Sequence, residues 1–129
     1  MEKIDKELLF KDLCARLPYG VKCQFEDTVR IIDGESSPFY DYILSARHLD
    51  LFINFKNFYV KPYLRPMSSM TEEEEAIFEQ LIKDVHYKAR PSTALRLVDW
   101  LNKNMFDYRG LIPKNLAIEI TEENNPYKD

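Results

Sequence analysis

The chain has 129 residues, 45% of them hydrophobic, so it can bury a core as a single domain (1–129) and is not intrinsically disordered. Its formal net charge of −4 argues against binding nucleic acid or an anionic membrane through overall charge. We find no charged-then-apolar leader, no apolar run near ~18 residues and too few cysteines for a disulfide scaffold. We therefore expect a cytoplasmic protein with reduced thiols and no membrane segment.

The first predicted element is an amphipathic helix over residues 4–17, which Pro18 and Gly20 end. Asp5 is a suitable N-cap. Apolar side chains recur at intervals of one, three and four, which places them on one buried stripe: Leu9, Phe10, Leu13, Cys14 and Leu17. Cys14 is expected to be a small buried thiol rather than a nucleophile, because nothing in an apolar setting lowers its pKa.

From Val21 the hydrophobic period changes to two, which predicts a strand over residues 21–26. A second short strand over residues 28–32 makes an antiparallel hairpin the economical interpretation. Residues 35–38 are polar and contain a proline, so we expect a mobile loop there.

Residues 39–60 are difficult to assign. Residues 39–44 and 49–55 are rich in aromatic and β-branched side chains, and alternation from Leu49 to Phe55 favours strands. A short helix from Tyr42 to His48 is the alternative. Residues 60–70, the proline arm, contain Pro62 and Pro66, which exclude a helix and predict an edge strand.

The clearest helix covers residues 71–87. Thr71 followed by Glu74 is a capping box. The predicted buried stripe is Ala76, Ile77, Phe78, Leu81, Ile82 and Val85. The four consecutive glutamates at 72–75 are expected to be solvated, because adjacent helical residues fan out around the axis and do not converge on one metal.

A second C-terminal helix is predicted to start at Ser92 or Thr93. Its stripe is Ala94, Leu97, Val98, Leu101 and Met105, with Trp100 partly exposed at the flank. Gly110 suits a turn with positive φ. Residues 116–120 predict a short strand or an extended tail, and residues 121–129 a polar, frayed tail.

These elements predict an α+β fold. It would have an N-terminal helix, an antiparallel sheet or small SH3-like barrel of about four strands, and two C-terminal helices.

Catalytic and cofactor-binding patterns are not found. Metal-ligand spacings such as CxxC or HxxxH and the glycine-rich phosphate motifs do not occur, and the chain has three glycines in all. A nucleophilic pair of Cys23 and His86 can be imagined, but a thiol between Val21 and Phe25 on a strand is expected to be packed. We therefore predict no catalytic residues, no metal and no cofactor.

Surface chemistry points to an interaction module. The types enriched at protein interfaces are aromatics, Arg and Met, and they occur in the proline arm and near the end of the last helix: Tyr63, Arg65, Met67, Trp100, Tyr108 and Arg109. The structural alternative is that Tyr63 and Met67 merely seat the arm on the helices. We expect an unidentified protein partner.

The second functional hypothesis is a nucleic-acid-associated accessory protein. It would use the basic segments 43–70 and 86–114, with aromatics beside Arg stacking on single-stranded bases. Acidic segments lie between and around these two, which weighs against one continuous basic face.

Three blocks resemble a family of small uncharacterised proteins from gut Bacteroidales, often found among prophage-like or mobile-element genes. They are residues 11–21 (KDLCARLPYGV), residues 61–74 (KPYLRPMSSMTEEE), and residues 100–102 with 106–112 (WLN and FDYRGLI). Residues 26–59 have no matching block. The resemblance implies a bacterial cytoplasmic setting with a phage or mobile-element context, and it brings no activity and no catalytic residues.

Overall fold

A computed structural model describes residues 2–27, 43–56 and 58–128 of the chain. The α+β class is confirmed for these residues. In chain order the elements are α1 (Lys3–Arg16), β1 (Cys23–Asp27), α2 (Ala46–Asn54), β2 (Phe58–Leu64), α3 (Glu72–Lys88), α4 (Pro91–Lys103) and β3 (Ile118–Glu119). The predicted strand at 28–32, the loop at 35–38 and residues 39–42 lie outside the described residues.

The described strands form an open mixed sheet in the order β1-β2-β3 rather than a closed barrel. β1 and β2 pair antiparallel, with Cys23 opposite Pro62 and Asp27 opposite Phe58. β3 pairs parallel to the end of β2, with Ile118 opposite Tyr63. The proline arm therefore begins in the central strand, and the prediction that it is an edge strand is wrong.

Pro62 is tolerated in the central strand because its nitrogen faces an unpaired part of the sheet. The Tyr63 N–H donates to the Lys22 carbonyl at 2.9 Å on the β1 side. Since successive residues of a strand point their N–H groups to opposite sides, the Pro62 nitrogen faces the β3 side. There β3 pairing begins only at Tyr63, so the missing N–H breaks no ladder bond.

The segment predicted as a strand at 49–55 is a helix. Ser45 caps α2: its Oγ accepts from the His48 N–H at 3.4 Å, and His48 Nδ1 accepts from the Ser45 N–H at 3.1 Å. Leu49 and Phe52, three residues apart, are buried in the core. The alternation also contains a helical stripe, and the cap at Ser45 favours the helix. The helix considered over 42–48 in fact begins at Ala46.

α1 begins and ends one residue earlier than predicted, and Gly20 with φ of 69° follows it. Glu2 is the N-cap and Asp5 lies in the first turn, so the predicted Asp5 cap is wrong. Its buried residues are Leu9, Asp12, Leu13 and Arg16. Cys14 is exposed, so its placement in the buried stripe is wrong. An ion pair allows Asp12 and Arg16 to take buried positions, and this turns the buried face away from Cys14.

The core lies between α1, α2, the sheet and the turns that follow α4. Its members are apolar side chains of α1, α2 and the first two strands, and of the residues that precede β1, precede α2 or follow α4: Leu9, Leu13, Val21, Cys23, Leu44, Leu49, Phe52, Phe58, Val60, Leu64, Met105, Leu111, Leu116 and Ala117. Gly110 adopts a positive φ of 74° just before Leu111, as predicted. Burial of Cys23 in this core agrees with the expected packed thiol.

The C-terminal tail is docked rather than frayed at its end. The Tyr127 hydroxyl accepts from the Lys22 N–H at 2.8 Å and donates to the Tyr63 carbonyl at 3.0 Å. Lys22 Nζ donates to the Pro126 carbonyl at 2.8 Å. These bonds tie the tail to the β1–β2 end of the sheet, whereas residues 121–124 are exposed as expected.

α3 and α4 pack against each other as an antiparallel hairpin joined at residues 89–90. The capping box is confirmed: Thr71 Oγ1 accepts from the Glu74 N–H at 3.2 Å, and Glu74 Oε1 accepts from the Thr71 N–H at 3.0 Å. α4 starts at Pro91 with Arg90 as N-cap, before the predicted Ser92 or Thr93. Proline suits the first helical turn, where its missing N–H has no helical partner.

The buried stripe of this hairpin is narrower than predicted. On α3 Leu81 is buried, Phe78 and Val85 are half-buried, and Ile77 and Ile82 are exposed. On the second helix and its end Leu101 and Met105 are buried and Leu97 is half-buried, whereas Ala94 and Val98 are exposed. Each helix of the hairpin thus buries a single row of side chains, and the apolar side chains beside that row are exposed to solvent.

Candidate interaction surface

The proline arm meets the end of α4 at Phe106. The Arg65 N–H donates to the Met105 carbonyl at 2.7 Å, and the Asp107 N–H donates to the Arg65 carbonyl at 2.8 Å. Two sequence segments that were predicted to share one surface are therefore neighbours. Four of the six predicted contact residues lie around this junction: Arg65, Trp100, Tyr108 and Arg109.

Arg65 fixes the proline arm to the start of α3. Its guanidinium lies over the Phe106 ring, 4.3 Å from the centroid, and donates to both carboxylate oxygens of Glu74 at 2.8 and 2.7 Å. The hydrogen bond from Arg65 lowers the pKa of Glu74 to about 2. Because this bidentate pair also involves the capping glutamate, the arm and the helix start hold each other in place.

Trp100 connects the helical hairpin to the body of the fold. Its ring stacks on Phe106 with centroids 5.4 Å apart and on Phe78 of α3 with centroids 6.3 Å apart. These distances are typical of favourable aromatic pairs. The side chain is half-buried, as the sequence predicted.

Beneath this junction lies a fully buried ion pair. Arg16 donates to Asp12 through Nε at 2.9 Å and through Nη2 at 3.1 Å, and both side chains have no exposed surface. Arg109 Nη1 adds a third bond to Asp12 Oδ1 at 3.0 Å. The carboxylate thus joins the first helix to the turn after α4, about a hundred residues later in sequence.

Tyr108 completes this polar cluster. Its hydroxyl donates to Asn102 Oδ1 at 2.6 Å and accepts from Arg109 Nη1 at 2.8 Å. The guanidiniums of Arg16 and Arg109 lie 5.2 and 4.7 Å from the centroid of its ring. Arg16 Nη2 also donates to the Phe106 carbonyl at 2.6 Å, while its Nη1 finds no acceptor among the described residues.

The other two predicted contact residues lie away from this cluster. Tyr63 is only 9% exposed and pairs with β3, and its carbonyl accepts from Tyr127. Met67 opens a short 3₁₀ turn, Met67–Ser69, and is half-buried. The polar groups of Arg65, Tyr108 and Arg109 thus have intramolecular partners, and a direct contact of the six residues with a partner stays a prediction.

The apolar residues left in solvent on the helical hairpin were missed by the sequence analysis. On α3 Ile77 is 45% exposed and Ile82 44%, and on α4 Leu95 is 61% and Val98 37%. The predicted stripes placed Ile77, Ile82 and Val98 in the core and left Leu95 unassigned. The sequence did contain a signal for this exposure. The apolar residues of α4 occupy a wider part of the helix circumference than one packed helix can cover, and Leu95 and Val98 lie outside the covered part.

Groups that carry chemistry do not converge in the described part of the chain. Burial raises the pKa of the Cys23 thiol, so it is a weak nucleophile, and His86 is exposed on α3 with its ring 4.9 Å from that of Tyr87. Across residues 2–27, 43–56 and 58–128, no three His, Cys, Asp or Glu side chains are arranged to hold a metal ion.

Comparison of the chain with protein-family models, curated proteins and solved structures returned no match. Among the described helices, none is both long enough and apolar enough to cross a bilayer.

Proposed function

We propose that the chain is a non-catalytic protein-interaction module whose contact surface is the α3–α4 hairpin. One observation carries the proposal: Ile82, Leu95 and Val98 are solvent-exposed on a regular helical hairpin. A surface helix normally turns its apolar side chains towards the core, so grouped exposed ones mark a contact site. From the sequence blocks described above, we place this module in a bacterial cytoplasm with a prophage or mobile-element context.

Helical geometry groups several of these side chains on one side of the hairpin. Ile82 directly follows the buried Leu81 on α3, and Ala94 and Val98 directly follow the stripe positions Thr93 and Leu97 on α4. In a pair of antiparallel right-handed helices, consider on each helix the residue that directly follows a residue of the contact stripe. These residues point to the same side of the pair on both helices. We name this surface the apolar flank and define it as Ile82, Ala94 and Val98, with Leu95 at its outer edge.

The contacts at the base of the hairpin support its use as a rigid binding element. The Arg65–Glu74 pair fixes the start of α3, and Trp100 fixes α4 between Phe78 and Phe106. A surface held in its binding conformation loses less entropy on association. In this proposal the predicted residues Arg65 and Trp100 act by positioning the hairpin.

Nucleic-acid binding receives no specific support from the geometry. Of the ten Lys and Arg residues in the two basic segments, three form ion pairs within the described part of the chain: Arg65 with Glu74, Arg109 with Asp12 and Lys88 with Asp84. Paired cations contribute less to phosphate binding than free ones. The accessory-protein hypothesis stays a prediction, and retention on an oligonucleotide column at low salt is its test.

The experiment is affinity capture of the full chain from its bacterial host, quantified by mass spectrometry. The test variant is Leu95→Asp/Val98→Asp, and the control is Lys11→Asp on the exposed side of α1. We expect a partner retained by the wild type and the control, and reduced at least about tenfold with the double variant. Equal capture by all three chains would contradict the proposal. Circular dichroism checks that the variants remain folded.

A further inference from the structure

We propose that the occupant of the apolar flank is a second copy of this chain, docked with the two α3 helices antiparallel about a twofold axis. This inference rests on the proposed function, because it uses the same hairpin surface. It names the partner that the proposed function leaves open.

Charge is separated along α3. The first half carries Glu72, Glu73, Glu75 and Glu79, in addition to Glu74, which is paired with Arg65. The second half and its end carry Lys83 and Arg90, in addition to Lys88, which is paired with Asp84. Two such helices side by side in parallel would bring like charges together, whereas the antiparallel arrangement brings opposite charges together.

The separation is self-complementary about the middle of the helix. α3 has 17 residues and spans about 25 Å. Reversal about Leu81, one residue past the midpoint of α3, places Glu79 opposite Lys83 of the second copy. It brings Glu72 to the end of the second copy's α3, which Arg90 of the second copy follows. A twofold axis makes each of these pairs twice, which is the pattern of an isologous interface.

The apolar flank fits the same axis. Ile82 is one residue from Leu81, the point of reversal, so the two copies of Ile82 would meet near the axis. Ala94 and Val98 of each α4 then border this contact, giving an arrangement of four helices with an apolar centre and charged edges. Of the side chains that one copy leaves in solvent, Ile82 lies at the centre of the interface and Ala94 and Val98 lie beside it.

The opposite flank of α3 provides a matched control surface. At 100° per residue, Ile77 and Ile82 lie on either side of the buried stripe, which contains Phe78, Leu81 and Val85. Glu73 shares the Ile77 side and is exposed. A charge reversal at Glu73 therefore changes net charge as Glu79→Lys does while leaving the proposed contact intact.

The test is sedimentation equilibrium of the full chain from micromolar concentrations to about 1 mM. This range detects dimers whose binding free energy is at least about 4 kcal/mol in magnitude. We expect a reversible monomer–dimer equilibrium. Glu79→Lys and Lys83→Glu should each raise the dissociation constant about tenfold, and Glu79→Lys/Lys83→Glu should restore it, because the double variant re-forms both pairs with reversed signs. Glu73→Lys should leave the constant within about twofold.

A monomer mass at every concentration overturns the second-copy proposal, as does a dimer that the charge reversals and Leu95→Asp/Val98→Asp leave unchanged. A monomeric chain whose capture of another host protein is abolished by Leu95→Asp/Val98→Asp would overturn self-association and leave the proposed function intact. A monomeric chain whose captured proteins do not respond to that variant overturns both.

Discussion

Replacing Asp12 by alanine is expected to lower the free energy of unfolding by about 3–5 kcal/mol. The substitution leaves the Arg16 guanidinium, which has no exposed surface, without its counter-charge. Removing one member of a buried ion pair costs about this much because the remaining charge stays desolvated.

The magnitude follows from the contacts of the carboxylate. Asp12 accepts two hydrogen bonds from Arg16 and one from Arg109. Hydrogen bonds to charged groups contribute about 1.5–3 kcal/mol each, and they are not additive within one cluster. Arg109 is partly exposed and can be hydrated after the change, so most of the loss comes from Arg16. The free energy of unfolding of a domain of this size is about 5–15 kcal/mol, so the expected loss is a large fraction of the total stability.

The assay is equilibrium unfolding in urea, followed by the fluorescence of Trp100, the only tryptophan, and by far-UV circular dichroism. Lys11→Ala, on the exposed side of the same helix, should stay within about 0.5 kcal/mol of the wild type. The double variant Asp12→Leu/Arg16→Met removes both charges and should recover most of the loss. A loss below about 1 kcal/mol for Asp12→Ala would refute the reasoning.

Three further outcomes are expected. Glu74, whose pKa in the folded protein is lowered to about 2, stabilises the fold above pH ~4.5, and this contribution is lost as the pH falls towards 2. Glu74→Gln should flatten the dependence of the urea midpoint on pH in that window, and an unchanged profile would contradict the assignment. In the native chain a thiol reagent should label exposed Cys14 and reach Cys23 only after unfolding; rapid labelling of native Cys14→Ser would show that Cys23 is accessible. Tyr127→Phe should cost about 1 kcal/mol in the same urea assay because the Lys22 N–H loses its acceptor, and equal stability would mean that the tail is not docked.

The parts of the fold that were predictable depend on contacts close in sequence. The α3 start followed from Thr71 and Glu74, which bond to each other within one turn. The end of α1 followed from Pro18 and Gly20, which local backbone restrictions explain. Such elements need no knowledge of the rest of the chain.

The errors arise where a pattern fits two structures. The alternation from Leu49 to Phe55 also contains the helical pair Leu49 and Phe52, and a Ser45–His48 cap decided between them. Asp12 and Arg16 stand four residues apart with opposite charges inside an apolar stripe, which is a readable signal for a buried pair. The apolar members of the stripe alone place Cys14 on the buried face, whereas Cys14 is exposed.

The candidate surface was likewise predictable in some features and not in others. Arg65, Trp100, Tyr108 and Arg109 were selected by residue type, and the fold brings them together around Phe106. Sequence could not indicate that Arg109 would pair with Asp12, because the two residues are 97 positions apart. Glu74 lies only 9 positions from Arg65, and residue type alone did not single out that pair. Exposure of the hairpin was partly readable from the wide apolar arc of α4, but which elements leave that arc uncovered is decided by the fold.

The most direct test of the central claim is site-specific photocrosslinking in the living host, with a photoreactive amino acid at Val98 and, as control, at Lys11. Our account predicts covalent protein adducts from Val98 and none from Lys11, and an adduct of twice the chain mass if the partner is a second copy. Absence of adducts from Val98, or the same adducts from both positions, would contradict the claim that the hairpin is the contact surface.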